Sequence, residues 1–289
     1  MIDKKYLLTS EQMATFVAKG FLRFDQLVPD AINTAVMAEI DAGGIVAAPA
    51  GTPLSECYPE PSAIGHMLRM SEVEGIIQSL IGPDPLFDHH AIHVRQPNED
   101  SAQGMHGDSI IDTRMHFDVQ LMYFPHDVPL EMGGTLVVPG SHFRRINEMD
   151  IARYQNFLGQ VPMVCKAGTL LALHHGIWHC GRRNQTNRMR YMYKIRLNPR
   201  VRQLRLWNTD DLTEQTKQHK AIFTADTNKV QDVQTILGRQ EPWFEDASGR
   251  LEIVNRIKLW RFLTGDDTFD VHYWLTRLEN KPERRELVA

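Results

Sequence analysis

The chain has 289 residues, of which 42% are hydrophobic and 24% charged, with a formal net charge of −4. That balance is ordinary for a globular protein with a large core. The mild acidity and the absence of any basic tract argue against nucleic acid or a membrane surface as partner, and no run approaches the roughly eighteen apolar residues of a membrane span.

Thr9 or Ser10 can cap a helix that should stop at Gly20, and Phe21-Leu22-Arg23-Phe24 then alternates like a short strand. Pro29-Asp30 opens a second amphipathic helix running to about residues 41–44. Residues 45–65 hold several Pro and Gly and read as a loop, and residues 72–81 read as a helix stopped by Gly82-Pro83-Asp84-Pro85. From there the period changes. Short β-branched and aromatic runs at 91–95, 118–124, 135–138, 161–165, 169–174 and 190–197 are separated by turn clusters. Many short strands with such punctuation predict a jelly roll at about residues 85–198. After Asn198-Pro199 the pattern turns helical at 210–220, 229–237 and 250–264. The expectation is one domain over 1–289, a mainly β core in an α+β chain. Its flanks are a helical N-terminal part (1–84) and a helical C-terminal extension (199–289).

Cys57, Cys165 and Cys180 are far apart and odd in number, which speaks against a disulfide framework and for a reducing compartment. Met1-Ile2-Asp3-Lys4-Lys5 leads into no apolar segment, so a cytoplasmic location is expected.

The chemistry concentrates in two places. In a strand, residues i and i+2 share a face, so His106-Gly107-Asp108 can present an imidazole and a carboxylate to one metal. His179 can arrive from a neighbouring strand as a second imidazole. Two histidines and one carboxylate on one face leave three positions open, the arrangement of oxygen-activating non-haem Fe(II) enzymes. Arg190, eleven residues after His179, suits a chelating keto acid with a free far carboxylate. His116-Phe117-Asp118 has the same spacing as the first pair but runs straight into an apolar strand, whereas a polar loop at 98–104 can aim His106 inward. His89, His90 and His93 read as surface or edge residues. His174-His175 read as core histidines or as partners of the ligands, and Arg182-Arg183 as a solvated pair able to hold an anion.

In combination and order, these motifs resemble the phytanoyl-CoA dioxygenase family of Fe(II)/2-oxoglutarate oxygenases over roughly residues 8–198. Leu8-Thr9-Ser10-Glu11-Gln12 through Gly20-Phe21-Leu22 is similar to its N-terminal helix and strand. Glu131-Met132-Gly133-Gly134-Thr135-Leu136-Val137-Val138-Pro139-Gly140-Ser141-His142 is similar to its Glu-Asn-Gly…Pro-Gly-Ser-His segment. His179, Asn184 and Arg190 match its distal ligand, following Asn and arginine. The resemblance implies a double-stranded β-helix (cupin-like jelly roll) and the cofactors Fe(II), 2-oxoglutarate and O2. His106, Asp108 and His179 would hold the metal and Arg190 the keto acid, with Ile92, Met122 and Gln120 as further lining. Arg188 shares a face with Arg190 by the period of two and is the alternative. The implied reaction is hydroxylation of a small-molecule substrate with release of succinate and CO2. Asp108 favours this outcome over halogenation. Desaturation, cyclisation or a catalytically silent 2-oxoglutarate-binding module are the rivals. Met132 and Thr169 depart from the family pattern, and so does Gly181, which stands where a hydroxyl residue often touches the co-substrate. The segment 201–289 matches nothing in the family and leaves open a homodimer through the C-terminal helices.

Overall fold

The computed structural model describes residues 2–44, 48–58, 61–109, 117–144, 156–202, 206–214, 232–238 and 246–265. Helix α1 (Ser10–Lys19) begins with a capping box. Thr9 accepts from the Gln12 backbone while the Gln12 side chain accepts from the Thr9 amide, so two otherwise unpaired groups are satisfied together. It ends at Gly20 in the left-handed conformation (φ +78°), which only glycine adopts without strain. The turn delivers β1 (Phe21–Phe24), and α2 (Asp30–Asp41) follows. The stretch expected as loop contains two short helices, α3 (Leu54–Cys57) and α4 (Ala63–Leu68). Ser62 caps the second by accepting from the Gly65 amide. Neither helix is long enough to display a helical period in sequence. Helix α5 (Ser71–Leu80) completes the N-terminal part.

The β core consists of β2 (Leu86–Arg95), β3 (Val119–Phe124), β4 (Thr135–Val137), β5 (Val161–Pro162), β6 (Thr169–His174), β7 (His179–Gly181) and β8 (Arg190–Asn198). With β1 they form two antiparallel sheets, a five-stranded one in the order β1-β6-β3-β8-β2 and a three-stranded one in the order β5-β4-β7. The run expected as a strand at 161–165 pairs only at Val161–Pro162, and Cys165 instead bridges Val128.

The larger sheet is buried on both faces, so its strands read as continuous apolar runs. The period of two divides them. Val119, Leu121, Tyr123, Leu170, Ala172, Tyr193, Ile195 and Leu197 pack outward against the helices. Met122, Phe124, Leu171, Leu173 and Met192 pack inward between the sheets. The inward face of this sheet also carries the polar groups of the site.

After the core come α6 (Val233–Gly238) and α7 (Asp246–Thr264). Both pack on α1. Ile253, Ile257, Leu259, Trp260 and Leu263 join the outer core, and Trp260 meets Trp207 edge-on at 6.0 Å. Trp207 in turn donates to Ser10 at 3.0 Å, at the start of α1. The described part of the C-terminal extension is thus integral to the core formed with the N-terminal helix. Of the helix expected at 210–220, residues 215–220 lie outside the described residues, and 209–213 are non-helical. Residues 229–231 of the next expected helix also lie outside them. Cys57, Cys165 and Cys180 are all free and buried. No helix among the described residues is long and apolar enough to cross a membrane.

Candidate active site

His106 and His179 exchange two backbone hydrogen bonds, the amide of each donating to the carbonyl of the other at 3.0 and 2.8 Å. This isolated antiparallel bridge brings the two chains into register at one point, and the imidazole centroids lie 4.5 Å apart. Each ring is oriented by a local carbonyl. His106 Nδ1 lies 2.8 Å from Gly104 O, and His179 Nδ1 lies 3.0 Å from Ile177 O. With Nδ1–H donated in this way, each Nε2 carries its lone pair outward, which is the form a metal requires. Asp108 enters from the same loop. Its Oδ2 is 3.5 Å from His179 Nε2 and its Oδ1 is 3.8 Å from His106 Nε2. One donor atom from each of the three lies within 4.8 Å of the others. Burial pushes the His179 imidazole down to about 3, against the opposing pull of Asp108, so it stands neutral at ordinary pH.

Asp108 has a partner that sequence reasoning missed. Lys194, buried on β8, places Nζ 2.6 Å from Asp108 Oδ2. Burial alone would raise the Asp108 carboxyl, but the adjacent His179 and the Lys194 ammonium outweigh it and hold the group well below the usual carboxylate range. His175 approaches the same oxygen at 3.9 Å, and its other ring nitrogen is 4.0 Å from Asp118. His174 points elsewhere, into an aromatic stack with Phe117 (5.2 Å), and accepts from the Gly176 amide. His116, the alternative to His106, lies outside the described residues.

A cavity extends from His179 to Arg190. Strand β8 lines it with Arg190, Met192 and Lys194, β2 with His93 and Arg95, and β3 with Met122. Thr135, Gly181 and Gln103 complete it. Arg190 is 2% exposed. Its Nη1 donates to the carbonyls of Met132 (3.4 Å) and Arg182 (3.3 Å), while its Nε is buried without a hydrogen-bond partner. Burial and the nearby charge of Arg95 pull it down to about 10, still fully cationic at neutral pH. Among the described residues no carboxylate pairs with it. Asn184, fully buried, fastens the turn before β8, donating to Arg188 O (2.6 Å) and accepting from the Thr186 amide (3.1 Å) and hydroxyl (2.7 Å).

The other expected lining residues are placed as follows. Met122 lines the cavity. Gln120 is fully buried on the same inner face, with both amide atoms lacking partners, but it does not line the cavity. Ile92 is a correction: its side chain packs against the outer core, and its neighbour His93, expected at the surface or an edge, faces the cavity instead. The bulge between Phe87 and His90 means that only the pairing with β8 reveals which parity of β2 points inward. Arg188 is exposed in the turn before β8 and does not share the position of Arg190. Arg182 and Arg183 do not line the cavity.

A model of the phytanoyl-CoA dioxygenase (PhyH) family matches residues 9–192. The chain belongs to this family. Its members are oxidoreductases that use Fe(II), 2-oxoglutarate and O2. No curated protein matches the sequence. Among solved structures the chain is similar to HygX from Streptomyces hygroscopicus with nickel and 2-oxoglutarate bound. That match has TM-score 0.54 and 16% identity, over 71% of this chain and 93% of the other. It is also similar to the non-haem alpha-ketoglutarate-dependent carbocyclase SnoK from nogalamycin biosynthesis, with TM-score 0.51 and 17% identity over 68% of this chain and 87% of the other. At such identities the likeness is one of fold, here the double-stranded β-helix that the two sheets build.

Proposed function

We propose that this protein is an Fe(II)- and 2-oxoglutarate-dependent dioxygenase that hydroxylates a small molecule, with His106, Asp108 and His179 holding the iron and Arg190 the far carboxylate of the keto acid. One observation carries the reading. Three metal-competent donors, His106, Asp108 and His179, cluster at one end of a cavity that His179 lines, and Arg190, buried and with an unpartnered Nε, lines the other end. The donor set fits a divalent metal that keeps open positions. The planar fork of Arg190 fits a carboxylate.

When bound, iron and 2-oxoglutarate supply the oxidant that removes a hydrogen from the substrate. The protein's own part is positioning and electrostatics. The carbonyls of Gly104 and Ile177 hold the two imidazoles in one tautomer, Lys194 keeps Asp108 ionised, and Met122 and Met192 supply the apolar part of the cavity lining. HygX has been solved with nickel, 2-oxoglutarate and hygromycin B bound, which supports a small-molecule substrate for this chain.

The test is an anaerobic titration with Fe(II) and 2-oxoglutarate, following the visible charge-transfer band. The band should vanish in His106→Ala and require far more keto acid in Arg190→Ala. A folded wild-type protein that shows no band would defeat the proposal. Cyclisation, the activity named for SnoK, is the second reading. Product mass separates the two, since hydroxylation adds one oxygen and ring closure removes two hydrogens.

A further inference from the structure

Gly181 leaves an opening in the cavity wall, and that opening is filled from the facing strand. A Cβ placed on Gly181 would lie 2.8 Å from Arg95 Nη2, 3.3 Å from Arg95 Nε and 3.4 Å from Gln103 Oε1. Any side chain here would have to push the guanidinium away. Gln103 holds the Gly181 backbone on both sides, its amide donating to Gly181 O at 2.8 Å and its Oε1 accepting from Gly181 N at 3.0 Å. The strand therefore has little freedom to retreat.

Arg95 and Arg190 are direct partners at the end of the β2–β8 ladder. Their Cα atoms are therefore roughly 5 Å apart and their side chains share a face. Both line the cavity. Two like charges directly opposite each other are unfavourable in a sheet. The described residues supply one neutralising group, Glu99, whose Oε2 is 3.3 Å from Arg95 Nη1. Arg190 Nε lacks any partner, and the hydrogen bond from Arg95 Nη2 to Gly181 O is long, at 3.5 Å. Two cations and one anion leave one positive charge uncompensated, with unfilled donor capacity on both guanidinium groups.

We infer that Arg95 is a second arginine on the far carboxylate of the keto acid, acting beside Arg190, and that Gly181 is the residue that makes room for it. This rests on the reading of the cavity as the 2-oxoglutarate site. In this arrangement β2 contributes a charged donor beside the one on β8, and Glu99 holds Arg95 through its Nη1.

The experiment is calorimetric binding to the Ni(II)-loaded protein without turnover. The ligands are 2-oxoglutarate and 2-oxovalerate, which has the same chain length but no far carboxylate. Wild type, Arg190→Met, Arg95→Gln and Gly181→Ala are compared, with folding checked by circular dichroism. Removing one charge-assisted hydrogen bond corresponds to about a 10- to 100-fold weaker 2-oxoglutarate dissociation constant. That weakening is expected in Arg95→Gln, and a smaller one in Gly181→Ala, with 2-oxovalerate binding unchanged in both. Arg95→Gln binding 2-oxoglutarate within twofold of wild type while Arg190→Met is impaired would overturn the role of Arg95 alone. An equal weakening for both acids would make Arg95 merely structural and overturn it too. A wild-type protein indifferent to the far carboxylate would overturn the underlying cavity assignment.

Discussion

Lys194 Nζ and Asp108 Oδ2 lie 2.6 Å apart, with side chains only 6% and 15% exposed. The carboxylate offered to the metal is therefore already half of a buried ion pair. Removing one partner of such a pair leaves an uncompensated charge, which costs more than the pair itself contributes.

Lys194→Met should accordingly destabilise the metal-free protein by about 3 kcal/mol. A bound divalent metal restores a positive charge beside Asp108, so Zn(II) or Mn(II) should recover part of that deficit. Urea denaturation with and without metal measures both. A deficit that metal leaves unchanged would show that Lys194 serves packing and not the charge of Asp108.

Asp108→Asn should abolish tight metal binding and also lower stability about as much as Lys194→Met does, because it leaves the buried Lys194 ammonium without its anion. His179→Ala should abolish metal binding too. Anaerobic Fe(II) binding and thermal melting, read together, separate a missing ligand from a disrupted fold. A variant that keeps wild-type iron affinity would remove that residue from the proposed ligand set.

Acid should destabilise the metal-free protein well above the carboxylate range. Burial pushes His142 and His179 down to about 3, against about 6.5 in an unfolded chain. Between those values the unfolded state binds more protons than the folded one, so stability rises with pH across the window and is fully present above its upper end. Each histidine then costs about 1.4 kcal/mol per pH unit below roughly pH 6.5. The urea midpoint should fall steeply from pH 7 to pH 5, and His142→Gln should flatten that slope. A pH-independent midpoint would contradict the neutral burial of these rings.

Asn184→Ala should act at a distance. Three hydrogen bonds fasten the 184–188 turn, and their removal costs about 2–3 kcal/mol at roughly 1 kcal/mol each. The turn leads directly into Arg190, so the dissociation constant for 2-oxoglutarate should rise while metal affinity holds. Unchanged keto-acid binding in the variant would show that β8 alone sets the position of Arg190.

Local chemistry made much of the fold readable from the chain. The Thr9/Gln12 capping box, the Gly20 stop and the β-branched and aromatic runs of β3, β6 and β8 depend on neighbours a few residues away, and these elements formed where those signals stood. Residues 54–57 and 63–68 escaped because helices this short show no period, and His179–Gly181 escaped because it lacks the β-branched residues that marked the equally short Thr135–Val137. Period two from Arg190 would have pointed to Met192 and Lys194 on one face, a signal present in the sequence but not used.

By itself, then, the sequence determined the type of the longer elements and the short list of residues able to bind a metal. Tertiary structure decided which of these groups meet. The pairing of β2 with β8 turned His93 and Arg95 inward and Ile92 outward, the His106–His179 bridge joined a loop to the distant strand β7, and β8 carried Lys194 to Asp108. The physical reason is that parity within a strand is a local property, while register between strands is set by the whole packed sheet. A shift of one residue there would send every side chain of a strand to the other face.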